Sequence, residues 1–571
     1  MIRSIRINLL FLFFCLFFAA IVARLFFWQI IKGGELAAEA KNQYKLGRTV
    51  SAPRGNIYSS DGSFLAARVD SWLVYASLPD MAKPIPYVAD KLAPFFLEEP
   101  YERNELLLEI DRLKSILDRK EVVWVPLEHK VATDTKNNIE SLEIKGIGFE
   151  KEESRYYPEA SAAAQLLGFV GKDPNGDDIG YFGLEGYYNL SLSGKSGFLS
   201  RESDAKGIPI LLGDYTEVSA VRGVDLITYL DKSIQMSVET KLKEAIERYG
   251  AKAGTVIVAD PKTGAIFAMA SLPSYDPLKY FDYGNELFKN PAISDTFEPG
   301  SIFKVLVMAS ALDAKVVKPD TKCDICSGPL RVDKYTIETW NNEYFPDSTM
   351  AEVIVHSDNV GMVFVGQKLG DEKMYEYLDK FGIGKETGID LQGEVAVPLR
   401  KKGTWNIVDL STASFGQGVA VTPIEMIRAV SVLANGGIMP TPQVVDKLSG
   451  DNWEEDIKPK TKKVISEEAV NEVTAMMVEA AKSGESKWIN AKGFKVAGKT
   501  GTAQIPISGH YDADKTIASF IGFAPAGNAK FIMLVTLKEP SSSPWASETA
   551  APLWYSIAKD LFLYFGIQPE N

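Results

Sequence analysis

The chain has 571 residues, of which 46% are apolar and 24% are charged. This length predicts two or three folded domains, and the composition excludes an intrinsically disordered protein. The net charge of −13 argues against a nucleic-acid partner, because binding to phosphates needs a basic surface.

The first predicted element is a nearly continuous apolar run over residues 7–31, which is long enough to span a bilayer of about 30 Å. Arg3 and Arg6 precede this run, and the first acidic residue of the chain is Glu35. The positive-inside rule therefore predicts a single-pass anchor in a cytoplasmic membrane, with the N-terminus inside and the rest of the chain outside. A cleaved signal peptide is the alternative. It is disfavoured because the run is longer than a usual signal core and ends without a small-x-small cleavage site.

Residues 32–216 predict a mixed α/β region whose residues indicate no chemistry by themselves. An Asp61-Gly62 turn between two short apolar segments predicts a strand, a turn and a second strand. Leucines at helical spacing among charges between residues 84 and 120 predict amphipathic surface helices. We therefore expect a structural or interaction domain at 32–216, after a cytoplasmic tail and anchor at 1–31.

Residues 217–571 have a different pattern. A strand at 226–230 and a helix at 233–249 precede an apolar hairpin made of residues 254–259 and 265–270. The later predicted helices and strands are helices at 302–315, 423–435 and 466–482, strands at 495–505, 516–523 and 529–537, and a last helix from Ala551. Strands at both ends with helices between them predict an α/β (α+β) domain with one antiparallel sheet covered by helices.

The cysteines and histidines are few. Cys15 lies in the apolar run, and Cys323 and Cys326 form a C-x-x-C pair that allows a local disulfide, a redox pair, half a zinc site or two free thiols. A loop disulfide is the favoured interpretation in an exported segment, with free thiols next. Three histidines indicate no metal cluster, and His356 needs no catalytic role.

The segment 297–304 predicts a turn that leads into a helix with Ser301 at its start. Pro299 and Gly300 end regular structure, and good helix formers follow. Ser301 and Lys304 lie three residues apart on one helix face, so the Lys304 amine can reach the Ser301 hydroxyl. A partly buried lysine with a lowered pKa can act as the base that activates a serine. Alone, this S-x-x-K spacing arises by chance, and Ser301 could equally be a helix N-cap.

Two further motifs follow in order. Ser357-Asp358-Asn359 is a polar triplet between apolar segments, and Lys499-Thr500-Gly501-Thr502 lies in a predicted strand. S-x-x-K, S-D-N and K-T-G together form the motif set of penicillin-binding proteins and class A β-lactamases. Each triplet alone could be an ordinary turn or a set of solvated charges, whereas the three in order are a strong signal.

With these motifs the chain resembles class B penicillin-binding proteins, which are membrane-anchored D,D-transpeptidases that cross-link peptidoglycan. The resemblance covers nearly the whole chain. Residues 52–66 resemble the family's R-G-x-I signature, although Ser59-Ser60 replaces the usual Asp-Arg. The other similar segments are Gly183-Leu184-Glu185 and Ser203-Asp204-Ala205-Lys206-Gly207 in the pedestal, and residues 414–418, 422–423 and 433–437 in the catalytic domain. Residues 294–300 are closer to the cell-division type than to the elongation type.

The resemblance implies a serine transpeptidase/β-lactamase-like domain at 217–571 and an elongated mixed α/β pedestal at 32–216. It implies that Ser301 attacks the penultimate D-Ala of a stem peptide and that Lys304 is the base. Ser357 would relay a proton to the leaving amine, and Asn359 would hold Lys304 and the substrate amide.

The resemblance also implies a carboxylate site on the last motif. Lys499 would supply positive potential there, the hydroxyls of Thr500 and Thr502 would bind the substrate carboxylate, and Gly501 would let the substrate backbone approach closely. Backbone N–H groups of Ser301 and Thr502 would form the oxyanion hole. No metal or organic cofactor is implied. The expected partners are peptidoglycan stem peptides ending in D-Ala-D-Ala, β-lactams as inhibitors, a membrane-embedded glycan polymerase, and division or elongation proteins.

Other functions remain as alternatives to a division transpeptidase. An elongation-type transpeptidase, a D,D-carboxypeptidase and a β-lactamase would use the same acyl-enzyme, although no deacylating base of a β-lactamase can be assigned. A non-catalytic division scaffold would tend to lose a motif residue, and this chain keeps all of them. A β-lactam sensor would need a cytoplasmic signalling domain, for which we expect no room before the anchor.

Overall fold

The computed structural model describes residues 2–36, 45–119, 122–159, 162–202, 215–489, 491–507 and 510–570. The signature Ser203-Asp204-Ala205-Lys206-Gly207 therefore lies outside the described residues. By its internal contacts the chain divides into two units. The first unit consists of residues 1–54 and 193–223, and the second consists of residues 55–192 and 224–571.

The described helices, in chain order, are α1 Ile2–Phe26, α2 Ile85–Leu92, α3 Arg103–Leu117, α4 Thr133–Glu140, α5 Ala164–Leu167, α6 Gly183–Tyr187, α7 Asn189–Leu192, α8 Lys232–Tyr249, α9 Pro291–Ser294, α10 Lys304–Asp313, α11 Met350–Val355, α12 Asn359–Leu369, α13 Asp371–Lys380, α14 Ile407–Ala413, α15 Pro423–Ala434, α16 Glu467–Ser483 and α17 Ala550–Tyr564.

The described strands are β1 Lys45–Val50, β2 Ile57–Tyr58, β3 Phe64–Ser77, β4 Trp124–Ala132, β5 Ile147–Tyr156, β6 Phe169–Lys172, β7 Asp178–Tyr181, β8 Gly197–Glu202, β9 Tyr215–Val218, β10 Asp225–Thr228, β11 Ala253–Ala259, β12 Ile266–Leu272, β13 Leu330–Val332, β14 Tyr335–Ile337, β15 Ile438–Pro440, β16 Val445–Gly450, β17 Trp453–Asp456, β18 Thr461–Lys463, β19 Ala497–Ile507, β20 His510–Ala524 and β21 Phe531–Lys538.

The first unit contains the apolar N-terminal helix and a small sheet. Helix α1 continues into a π-helical turn at Phe27–Ile31, and the stretch Ile5–Ile31 has 27 residues with a mean hydropathy of 2.7. A helix of this length and composition fits a single-pass membrane anchor. Strands β1, β8 and β9 form an antiparallel sheet with β8 in the centre.

In the second unit, a seven-stranded sheet contains β2 and β3, which carry part of the signature at residues 52–66. Its order is β17-β16-β10-β2-β3-β4, and β5 also pairs with β3. Gly55 packs so closely against the backbone of Val224 that a Cβ on Gly55 would lie 2.0 Å from Val224 O. The buried Arg155 donates to Gly55 O and to Glu185 Oε1, both at 2.6 Å. The two pedestal signatures containing Gly55 and Glu185 therefore meet at one arginine.

A five-stranded sheet lies at the centre of the second unit. Its order is β12-β11-β21-β20-β19, and all its pairs are antiparallel. Alternate side chains of β11 enter different cores: Ile257 packs with the layer containing α10, α12 and α16, while Val256 packs with α8 and α17. This alternation is the two-residue period of a strand buried on both faces. The predicted antiparallel sheet covered by helices is confirmed, and the predicted domain boundary at 216/217 stays a prediction.

Candidate active site

Ser301 lies in a tight turn at the start of a buried helix. Gly300 has φ +54°, and the 3₁₀ turn Gly300–Phe303 leads directly into α10. Gly300 N–H donates to Gly416 O at 3.0 Å, and a Cβ on Gly416 would lie 2.2 Å from Gly300 O. The two glycines therefore fix the turn by close backbone contact. Ser301 is partly exposed, and its hydroxyl forms no hydrogen bond within the described part of the chain.

Lys304 is fully buried, as is every residue from there to Leu312. Because α10 is surrounded by other elements, the lysine needs buried acceptors for its amine. Its Nζ donates to Ser357 O at 2.5 Å and to Asn359 Oδ1 at 2.8 Å, and lies 3.4 Å from Ser357 Oγ. The expected contact with the Ser301 hydroxyl is therefore not the one observed: the amine of Lys304 is bound to the second motif.

The environment of Lys304 favours a neutral amine. Burial, the largest cause, and the nearby charge of Lys499 together lower the pKa of Lys304 to about 7, while Asp358 and Glu485 act in the opposite direction. Desolvation disfavours an ammonium, and a like charge adds to that effect. A substantial fraction of Lys304 is therefore available as a base near neutral pH.

The second motif is a strained junction between α11 and α12. Ser357 has φ +56°, a left-handed conformation that is costly for a residue with a Cβ. Asp358 caps α12 by accepting hydrogen bonds from the N–H groups of Val360 and Gly361. This cap turns Asn359, the first residue of α12, towards Lys304, and Asn359 Nδ2 donates to Glu338 O at 2.9 Å.

The third motif lies on β19, which is an edge strand of the five-stranded sheet in the described residues. A Cβ on Gly501 would lie 2.8 Å from Ile302 Cγ2 and 3.1 Å from Ile302 N. The turn that carries Ser301 therefore packs directly against Gly501, where a side chain would otherwise lie. The prediction assigned the close approach at Gly501 to a substrate backbone, and this contact gives the glycine a separate reason to be there.

The backbone of Thr502 is turned towards Ser301. Ser519 on β20 donates to Gly501 O at 3.1 Å, so the carbonyl of Gly501 faces the neighbouring strand. Backbone groups alternate sides along an antiparallel strand, which turns those of Thr502 outward. In agreement, a Cβ on Gly300 would lie 3.4 Å from Thr502 O. The Thr502 hydroxyl accepts a hydrogen bond from Ala546 N–H at 3.1 Å, which leaves its own proton available.

Lys499 and Thr500, the first two residues of the third motif, form a hydrogen-bonded chain that ends at Glu485. No sequence pattern predicted a role for Glu485. Lys499 is 3% exposed, and its Nζ donates to Thr500 O and Thr500 Oγ1, both at 3.1 Å. Thr500 Oγ1 in turn donates to Glu485 Oε2 at 2.5 Å. Thr500 therefore has no proton left for the predicted hydrogen bond to a substrate carboxylate. No sequence motif includes Glu485, and its place just after a predicted helix is the only signal that could have indicated it.

Two exposed tryptophans were also missed. The rings of Trp340 and Trp545 meet edge to face, with centroids 5.2 Å apart. Trp340 Nε1 donates to the carbonyl of His356, beside the second motif, and Trp545 precedes Ala546, which holds Thr502. The pair thus connects segments that carry the second and third motifs. The ring of His356 stacks on Phe345, as fits a structural residue.

Cys323 and Cys326 form a disulfide, the interpretation favoured for an exported segment. Both cysteines are buried, and Cys323 N–H donates to Ser348 O at 2.9 Å. This bond places the disulfide next to Thr349, the N-cap of helix α11. The disulfide therefore helps to hold the start of α11, the helix that leads to Ser357.

The fold and the site define a serine enzyme built on an antiparallel sheet, with a lysine beside the serine and a second lysine on the edge strand. Comparison with known proteins agrees with this class. Residues 254–562 match the family described as the penicillin-binding protein transpeptidase domain, and residues 49–228 match the penicillin-binding protein dimerisation domain.

Curated relatives align over most or all of the chain. Stage V sporulation protein D of Bacillus subtilis (strain 168) is 30% identical over 583 residues, covering 100% of this chain and 87% of the relative. Peptidoglycan D,D-transpeptidase FtsI of Buchnera aphidicola subsp. Baizongia pistaciae is 31% identical over 453 residues, covering 78% and 76%. The crystal structure of penicillin-binding protein 2X from Streptococcus thermophilus matches with a TM-score of 0.74 at 25% identity, covering 92% of this chain and 83% of the other. The chain belongs to the penicillin-binding protein family with a transpeptidase domain, which confirms the predicted family and fold.

Proposed function

We propose that the chain is a peptidoglycan D,D-transpeptidase in which Ser301 is the nucleophile and Lys304 the base. The observation that carries this proposal is the setting of Lys304, whose amine is fully buried, held by Ser357 O and Asn359 Oδ1, and one helical turn from Ser301. The pKa of Lys304, lowered to about 7, suits a base at neutral pH. Membership of the transpeptidase family and relatives named as peptidoglycan D,D-transpeptidases support the same reaction.

In the first half-reaction, Ser301 Oγ attacks the carbonyl carbon of the penultimate D-Ala, and neutral Lys304 takes the hydroxyl proton. The N–H groups of Ser301 and Thr502 stabilise the oxyanion, and the backbone of Thr502 is turned outward, as this role requires. Each such donor contributes a factor of about 100 to 1,000 in rate. The C–N bond then breaks, and the proton reaches the leaving amine through the Ser357 hydroxyl, 3.4 Å from Lys304 Nζ. The products are an ester on Ser301 and free D-Ala.

In the second half-reaction, the amine of another stem peptide attacks the ester carbonyl. Lys304, neutral again, accepts the proton of that amine and returns one to Ser301 Oγ as the ester bond breaks. The new C–N bond is the cross-link, and the enzyme is restored without a cofactor. Water in place of the amine would give hydrolysis and a D,D-carboxypeptidase.

The terminal carboxylate of the substrate is bound at the third motif in this proposal. Lys499 supplies the positive charge, and the Thr502 hydroxyl, whose proton is free, donates directly to the carboxylate. Thr500 acts mainly on Lys499, because its own proton is held by Glu485. This division refines the expectation that both threonines bind substrate.

The location and partners follow from the anchor. We place the N-terminal end of the apolar helix on the cytoplasmic side and the catalytic domain outside the membrane, where uncross-linked wall precursors are found, since Arg3 and Arg6 lie at that end of the helix. A membrane-embedded glycan polymerase would supply the glycan strands. A role in division is favoured over elongation, because relatives named FtsI align over most of the chain.

The reaction is tested with the purified full chain, a stem peptide ending in D-Ala-D-Ala and an acceptor peptide with a free amine. We expect release of D-Ala together with a cross-linked dimer, and neither product with Ser301→Ala. Release of D-Ala without dimer at saturating acceptor would assign a carboxypeptidase, and release by Ser301→Ala would remove Ser301 as the nucleophile.

A further inference from the structure

Glu485 lies where α16 ends and the chain turns towards β19. The turn is tightly packed, because a Cβ on Gly484 would lie 2.4 Å from Ala480 O and 2.8 Å from Val355 O. Gly484 N–H also donates to Ala480 O at 2.9 Å. The backbone that carries Glu485 is therefore held against its own helix and against the end of α11, the helix that leads to the second motif.

From this turn, Glu485 reaches the third motif through one hydroxyl. Its Oε2 accepts from Thr500 Oγ1 at 2.5 Å, and Thr500 Oγ1 accepts from Lys499 Nζ at 3.1 Å. An ammonium, a hydroxyl and a carboxylate thus form a directed hydrogen-bonded chain from Lys499 through Thr500 to Glu485. Among the described residues, Lys499 Nζ has two hydrogen-bond acceptors, which are Thr500 O and this Thr500 hydroxyl.

The charged groups that act on the two buried lysines come from several elements. Lys304 on α10 feels Lys499 on β19, Asp358 before α12, and Glu485 after α16. Burial lowers the pKa of Lys499, and Glu485 is the charge that opposes this effect. Asp358 is committed to capping α12. Two ammonium groups in one buried site disfavour each other, so an acid aligned with one of them decides which keeps its proton.

We propose that Glu485 is a positioning residue that, through Thr500, keeps Lys499 protonated and oriented, so that Lys304 is the lysine that stays neutral. This inference rests on the proposed function, since it assigns the base and the carboxylate-binding charge to different lysines. The carboxylate of Glu485 touches neither substrate nor reacting atoms in this account. Its effect is on the pH range over which the enzyme works.

Glu485→Gln separates charge from geometry. The amide oxygen of glutamine can still accept the Thr500 hydrogen bond, while the negative charge is lost. Lys499 should then lose its proton at lower pH, because Glu485 is the charge that opposes the effect of burial on its pKa. We expect the pH profile of acylation to move to lower pH, with the rate at pH 9 falling about tenfold relative to the unmodified protein, and less than about threefold at pH 7.

The experiment measures the acylation rate constant of the detergent-solubilised full chain with a fluorescent penicillin between about pH 5.5 and 10. Glu485→Asp keeps the charge and should restore part of the alkaline limb. Glu479→Gln is the matched control, since Glu479 lies exposed on α16, the helix that ends just before Glu485, and accepts a hydrogen bond from Ser483. Its profile should equal that of the unmodified protein. Thermal unfolding of each variant is recorded in parallel.

A Glu485→Gln profile that coincides with the unmodified one overturns the inference, as does a uniform loss at every pH, which would indicate a merely structural role. Failure of the proposed function looks different. In that case the unmodified protein takes no label at any pH, or Ser301→Ala takes as much label as the unmodified protein.

Discussion

Placing a carboxylate beside Lys304 should make the enzyme dependent on alkaline pH. In Asn359→Asp, a negative oxygen replaces the amide oxygen that now lies 2.8 Å from Lys304 Nζ. An opposite charge at that distance favours the ammonium and raises the pKa of the lysine. The base would then be protonated at pH 7, and Ser301 would lose its proton acceptor.

The size of the effect follows from the pKa of Lys304, about 7, at which half of the lysine is neutral at pH 7. A neighbouring carboxylate raises such a pKa by about 1 to 3 pH units, so the neutral fraction, and with it the acylation rate at pH 7, falls about 5-fold to 500-fold. The sign is fixed: the neutral fraction of Lys304 increases as pH rises, so the rate of the variant should recover above pH 7 until Lys499 loses its proton.

The assay is the rate of acylation by a fluorescent penicillin from about pH 6 to 10, with Asn359→Ala as the control. The alanine variant loses the hydrogen bonds to Lys304 and to Glu338 O without adding charge, so its rate should fall without the alkaline recovery. If Asn359→Asp keeps the acid limb of the unmodified protein, Lys304 is not the titrating base and the reasoning is refuted.

Three other predictions follow. Gly501→Ala forces a Cβ to within 3.1 Å of Ile302 N, so the turn that carries Ser301 must shift. The acylation rate should fall about 100-fold in the labelling assay, and an unchanged rate would show that the turn can shift without loss of activity. Thr502→Val removes the proton proposed for the substrate carboxylate, so kcat/KM for the D-Ala-D-Ala peptide should fall about 10-fold to 100-fold in a D-Ala release assay. Arg155→Met removes the guanidinium that pairs with the fully buried carboxylate of Glu185, so chemical denaturation should report a loss of about 3–5 kcal/mol. Ser301→Ala should leave stability nearly unchanged.

Local patterns carried the prediction of the elements around the site. Pro299 and Gly300 marked the turn, and the apolar residues after Ser301 marked the helix, because both signals depend on neighbours in sequence. The first turn is 3₁₀ rather than α-helical, with the α-helix beginning at Lys304. The antiparallel sheet followed from strands at both ends of the region, although the pairing of β11 with β21 could not be read from either strand.

The contacts of individual side chains could not be predicted in the same way. Spacing alone suggested that Lys304 would contact Ser301, whereas its partners are on a segment about fifty residues away that the packing of α10 against α12 brings close. The contact between Glu485 and Thr500 could not be predicted for the same reason. Nothing in the neighbours of Glu485 indicates that a turn after α16 delivers a carboxylate to Thr500, because that depends on how helix and strand pack.

Mass spectrometry of the protein treated with benzylpenicillin shows whether Ser301 forms the acyl-enzyme. We predict one adduct with the mass of the opened drug, located by peptide mapping on Ser301 and absent from Ser301→Ala. Ser294→Ala serves as the matched control, because it removes a hydroxyl that donates to Asn290 O, and it should be modified like the unmodified protein. An adduct on another residue, or no adduct at a concentration that saturates labelling, would contradict the account.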